Sequence, residues 1–266
     1  MGLQLVTVET RVSKAKRGRG GPTNIGEGHS WEGWTTKTKI LSEWFDKHED
    51  DGTLIIFADN QDMFFGGCGE MQFMMDYNFA LASKPGARTV IGAERGCFDV
   101  PPPWNCDNVP ETPTWAQRNW TVAASDNPHH VIYDSPVEKH GQMRYPNSGF
   151  IIGTVAVLRD LFKTALDDMK KEPLSQGRPA PGHAFTDQFF VTRYVLGHPD
   201  KIAFDYGSSL VTNGYSLDAR KLFDLLPMGV LRNRVTQKRQ CFFHANGPAE
   251  ETAAGIAKWQ EKFEKA

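Results

Sequence analysis

The feature that most constrains this chain is the run Leu54-Ile55-Ile56-Phe57-Ala58, set between an Asp-Gly turn and the polar stretch Asp59-Asn60-Gln61-Asp62. Side chains alternate between the two faces of a strand, so a strand without polar interruptions must be covered on both sides. That requirement points to a sheet held between layers of helices. The rest of the chain supplies such elements. Leu3–Thr7 and Thr89–Ala93 are further short β-rich runs, Gly149–Ile152 is apolar, and Ile202–Phe204 and Cys241–Phe243 are candidate late strands. Between them, Ile40, Leu41, Trp44 and Phe45 recur at helical spacing over 36–46, and 71–82 reads as a helix. Val155, Leu158, Phe162, Leu166 and Met169 form an amphipathic stripe, a helix is expected over 185–196, and Ile256, Trp259 and Phe263 mark a C-terminal helix. Strands alternating with helices predict an α/β fold with a mixed, mostly parallel central sheet flanked by helices, as a single domain over residues 1–266.

Composition narrows the function. With 30 basic and 32 acidic side chains the formal charge is −2, so no global field recruits nucleic acid or anionic lipid. No apolar run approaches the roughly 18 residues of a membrane span. Residues 1–9 read as a strand without the regions of a signal peptide, and Val6 breaks the myristoylation pattern. Four cysteines at this length do not make a disulfide scaffold, and none is spaced as CxxC. Cys97 and Cys106 bracket a proline-rich loop over 101–113 and are as readily a disulfide as two thiols. Asn119-Trp120-Thr121 is a glycosylation triplet of a kind common by chance.

Ligands of such sheets sit outside the C-terminal ends of the strands. Two apolar strands end in groups suited to a cation. Asp59 and Asp62, three residues apart, would point to opposite faces within a strand; in the turn after it, both can face one ion. Mg²⁺ and Mn²⁺ suit such oxygens, while a plain turn or helix cap is the ordinary use of an Asp pair. His244, with Asn246 and Gly247 after it, offers an imidazole as third ligand, or is a loop histidine satisfied by backbone. Asn147-Ser148-Gly149 places small polar groups before an apolar run. Asp187 and Gln188 open a helix, where an Asp is either a dipole partner or a carboxylate aimed into a cleft. Lys14, Lys16, Arg17 and Arg19 make one basic run, a solvated loop or a lid over phosphates. Trp104, Trp115 and Trp120 are satellite core or a platform for an acceptor.

Taken in order, these segments resemble the glycosyltransferase domain of the procollagen lysyl hydroxylase family. The likeness runs through Leu5–Thr10, Gly26–Trp31, Lys37–Leu41, Asp59 to Asp62, Gly92-Ala93-Glu94, Asn147-Ser148-Gly149, Thr186-Asp187-Gln188 and His244–Pro248. It implies a GT-A (Rossmann-like, nucleotide-sugar-binding) fold and transfer of a hexose, glucose before galactose, from a UDP-sugar to a glycan or glycosylated peptide. It implies Mn²⁺, with Mg²⁺ as a substitute, on Asp59, Asp62 and His244. Thr7 and Trp31 would line the uridine pocket, either Lys37 or Lys39 would meet the diphosphate, and Asn60, Gln61, Glu94, Asn246 and Gly247 would border the donor. Asp187, Gln188 and Asn147 would face the reacting groups. Gln61 stands where the family has an aromatic, Phe98 follows Cys97 where a Trp is usual, Ala245 replaces a glycine, and the acidic run before Gln188 is short. These departures bear on donor and acceptor identity, and the family's hydroxylase portion has no counterpart. A silent nucleotide-sugar-binding module and a metal-dependent phosphoesterase are the rival readings.

Overall fold

The computed structural model describes residues 3–8, 23–30, 35–59, 62–97, 100–101, 103–124, 141–171 and 186–246. Trp31, Asn60, Gln61, Gly247, the basic run and the C-terminal helix expected from the sequence lie outside the described residues.

The uninterrupted apolar run becomes β3 (Leu54–Asp59), the third strand in a six-stranded sheet. The sheet order is β2 (Thr23–Asn24), β1 (Leu3–Val8), β3, β6 (Tyr145–Thr154), β5 (Thr89–Glu94), β7 (Ile202–Asp205). Only β6 runs antiparallel to its neighbours, so the sheet is mixed and mostly parallel. Both faces are covered, as the sequence of β3 demands. Ile55 and Phe57 pack into one cluster with Leu41 and Phe45 of α1 (Thr35–Asp46), Leu158 and Phe162 of α3 (Val155–Lys171) and Val191 and Val195 of α4 (Asp187–Gly197). Leu54, Ile56 and Ala58 face the other way, onto Phe73, Tyr77 and Ala80 of α2 (Glu70–Ala82). The α/β class and the sheet expected from the sequence are therefore observed.

That second face is completed by a small sheet that periodicity does not reveal. It holds β4 (Met63–Phe65), β11 (Phe242–His244) and β8 (Val211–Asn213), three residues each. Phe242 is buried against Phe150 and Phe73. A β-hairpin of β9 (Phe223–Leu225) and β10 (Leu231–Asn233) follows α5 (Ala219–Leu222).

Two disulfides correct the expectation that the cysteines contribute no framework. Cys97 is bonded to Cys106, closing the pair left open by sequence, and Cys68 is bonded to Cys241 across 173 residues. Spacing could not find the second pair, because its partners meet only once β4 and β11 are paired.

Candidate metal centre

Asp59 ends β3, Asp62 stands immediately before β4, and His244 ends β11. The antiparallel pairing of β4 with β11 sets Met63 opposite His244, and the Ala245 amide donates to the Asp62 carbonyl. Residues remote in sequence thus converge beyond the C-terminal end of β3. The imidazole Nε2 stands 3.4 Å from Asp62 Oδ2 and 4.0 Å from Asp59 Oδ2. One ligand atom from each of the three lies within 4.8 Å of the others.

The local backbone is shaped for that imidazole. β6 pairs regularly with β5 up to Ile151 opposite Ile91, then slips so that Gly92 faces Asn147. Bulges of this kind redirect side chains at functional sites. Here the bulge lays Gly149 flat beneath the histidine: a Cβ on Gly149 would stand 2.2 Å from His244 Cε1. The other ring nitrogen, Nδ1, is 2.8 Å from Asn213 Oδ1. Asn213 donates its own Nδ2 to the Ala93 carbonyl, which fixes the amide so that Oδ1 can only accept. Nδ1 therefore carries a proton, and Nε2 is the ring nitrogen turned towards the two carboxylates. Three such groups facing one point call for a shared proton or a cation between them.

That donor set fits a divalent ion. Two ligands about 2.1 Å from one ion and at right angles stand about 3 Å apart, close to the separations found. The outer support, an amide holding the far ring nitrogen, is the arrangement that orients metal-bound histidines. Without an ion, the point is served by a proton on His244. Burial opposes the charge on the ring, but Asp62 and Asp59 outweigh it and raise the imidazole's pKa. Burial also works against the Asp62 carboxylate, yet the His244 contact leaves its pKa lowered. Asp59 goes the other way, raised by burial against the pull of Lys37 and His244.

Of the two lysines the sequence offered, Lys37 is the one turned into this cluster. Lys39 is exposed, whereas Lys37 is buried, with Nζ 3.1 and 3.2 Å from the two oxygens of Asp59 and 2.5 Å from Asp187 Oδ2. Burial disfavours its charge, but Asp187 and Asp59 prevail and hold the ammonium protonated. Asp187 can meet it because Thr186 takes the cap of α4, its side chain accepting from the Phe189 amide. The Ser148 hydroxyl donates to the same carboxylate at 2.9 Å.

Behind these groups runs a frame of amides. Glu94 is buried and accepts from Gln188 Nε2 and Asn246 Nδ2, each at 2.7 Å. Burial pushes its pKa up to about 7, with hydrogen bonds from Asn147, Gln188 and Asn246 pulling it down. Gln188 Oε1 in turn faces Asn147 Nδ2, and Asn246 Oδ1 accepts from the Tyr215 amide. Gln188, Asn147, Glu94 and Asn246 are thus hydrogen-bonded into one frame. Thr7 is buried on β1 with its hydroxyl unpaired. Asn213 is the member that sequence reasoning missed, and nothing in its local sequence distinguishes it. Trp120 is fully buried, in the core, while Trp115 is exposed and edge-on to Phe79.

No protein-family model and no curated protein sequence matches the chain. Among solved structures, the chain is similar to mouse xyloside xylosyltransferase 1 in its apo form, with 16% identity and a TM-score of 0.39. The match covers 80% of this chain and 63% of that one, so the chain spans less than two thirds of that protein's length. Among the described residues no helix is long and apolar enough to cross a membrane.

Proposed function

We propose that this chain is a metal-dependent glycosyltransferase of GT-A type that moves a hexose from a UDP-sugar to a hydroxyl acceptor, akin to the procollagen lysyl hydroxylase glycosyltransferases. The observation that carries the reading is the convergence of Asp59, Asp62 and the Nε2 of His244 on one point at the strand ends. Mn²⁺ is the ion of choice, since it accepts both carboxylate and imidazole, with Mg²⁺ as a substitute. A divalent ion held there supplies Lewis-acid neutralisation of a departing diphosphate.

The chain's own residues do the rest. Lys37 opposes the burial that raises the pKa of Asp59 and adds positive charge beside the leaving group. Asp187, fixed by Lys37 and Ser148, is the acid poised to polarise an acceptor hydroxyl or steady charge on the sugar. Gln188, Asn147, Glu94 and Asn246 hold that geometry before the substrate arrives, so little reorganisation is left for the reaction. In this reading they are positioning residues, with Thr7 and Trp31 bordering the uridine and Asn60, Gln61 and Gly247 closing the donor pocket.

A nucleotide-sugar-binding module without turnover is the second reading, and the 2.5 Å ion pair that neutralises Asp187 favours it. One screen separates the two: UDP-sugars incubated with protein and Mn²⁺, with UDP release measured. Release that disappears with EDTA supports transfer. Nucleotide binding without release from any donor, across a broad acceptor set, supports the silent module.

A further inference from the structure

One buried charge near the site has no use in the account so far. Arg95 follows Glu94 off the end of β5 and is 4% exposed. Its Nη1 donates to the Ser216 carbonyl at 3.3 Å, and its Nε is enclosed without a partner. None of the described residues offers it a carboxylate. Burial lowers its pKa, and no acid opposes that shift. The contrast with Arg144 is direct: that guanidinium, also buried, meets Glu111 at 3.1 Å and the carbonyls of Val109 and Asp107. A buried ion without a counterion costs stability, so its retention calls for a reason.

Its position supplies one. Glu94, the preceding residue, ties together Gln188 and Asn246 beside the metal centre. Ser216, which Arg95 contacts, follows Tyr215, whose amide is bound by Asn246. Ser216 is itself held in the left-handed region, at φ 60°. A second orphan donor belongs to the same neighbourhood: Trp120 Nε1 is buried and unpaired, and the helical turn carrying Trp120 is tied to this loop by the Asp218 amide on the Ala123 carbonyl. With Nη1 engaged, Nε is the donor left unpaired, and a guanidinium meets a carboxylate through charge-assisted hydrogen bonds.

We propose that Arg95 is kept for a carboxylate on the sugar substrate, so that this site takes a hexuronate, in donor or acceptor, over the neutral hexose. The proposal rests on the glycosyltransferase reading and names its substrate class. It sets Arg95 apart from a structural prop for Ser216, because a prop would stabilise the fold whereas an unpaired buried charge destabilises it.

The test compares wild type, Arg95→Met and Arg95→Gln, the last keeping a donor for Ser216. Mn²⁺-loaded protein is titrated with sodium glucuronate and with glucose, then with UDP-glucuronate and UDP-glucose, and each protein is melted. The expected result is that wild type prefers the acidic partner in one of the two pairs, which tells acceptor from donor. Both variants should lose that preference by at least about tenfold, the scale of a charge-assisted hydrogen bond, with Tm unchanged or raised. Equal binding of acidic and neutral sugars by wild type would overturn the proposal. So would variants that keep the preference, whatever their Tm. Glucuronate preference without UDP release from any donor would sink the transfer reading alone; UDP release without acid preference would sink only this inference.

Discussion

The imidazole of His244 illustrates how much a single residue's neighbours decide. Asn213 sets its tautomer and Gly149 gives its ring room. Gly149→Ala should therefore tilt the ring and weaken Mn²⁺ binding by about 10–100-fold, as loss of outer support does at other metal sites. Calorimetric titration with Mn²⁺ checks this, and unaltered affinity would show that the ring is not held by this contact. The pH dependence follows from the same geometry. In the metal-free protein His244 has a raised pKa, so it carries a proton that the unfolded chain has already lost. That proton stabilises the fold below the ordinary imidazole value of about 6.5, and the benefit is lost as pH rises through the higher folded value. Metal must displace the same proton. Mn²⁺ affinity should thus fall on acidification through the raised value, with about one proton released per ion bound. Titrations in buffers of different ionisation enthalpy count that proton. Asp59→Ala and His244→Ala should each abolish metal-dependent turnover, a loss on the order of 10²-fold or more.

At the scale of elements, β11 is what joins the centre to the fold. It carries His244 and pairs with both β4 and β8, and Cys241 before it is bonded to Cys68 at the start of α2. Replacing both of these cysteines with alanine removes a cross-link over a long loop and should cost about 2–5 kcal/mol. Thermal melting measures the loss, and Mn²⁺ affinity should fall with it because β11 is then held by pairing alone. Leu158→Ala on α3 empties a fully buried site against the sheet and should cost about 2–5 kcal/mol without altering metal affinity at temperatures where the fold persists.

The long elements were legible because their apolar residues repeat: β3 by its unbroken run, α1 and α3 by their stripes. The strands β4, β8 and β11 are three residues long, too short to show a period, so the Asp62 to His244 approach and the Cys68–Cys241 bond could not be read in advance. The candidate ligands Asp59 and His244 were legible because each ends an apolar strand, and Asp62 because it stands three residues after Asp59. Gln188 and Asn246 were read as bordering the substrate; their hydrogen bonds to Glu94, Asn147 and Tyr215 were not foreseen. Which polar atoms are already paired is a property of the folded neighbourhood, which spacing does not encode.

For the whole molecule, one sheet order explains where the chemistry lies. The parallel strands β1, β3 and β5 end on the same side, and the small sheet brings β11 to that edge. The result is a cluster of four acids, Asp59, Asp62, Glu94 and Asp187, facing Lys37 as the one lysine or arginine paired with any of them among the described residues. Such a cluster of acids around the imidazole is where the proposed dication, and the diphosphate it would hold, are placed. The most direct measurement is calorimetric titration of UDP into the protein with Mn²⁺ and with EDTA, for wild type and His244→Ala. Tight UDP binding that needs both the ion and His244 is the predicted result. UDP binding of equal strength in EDTA, or undiminished in His244→Ala, would contradict it.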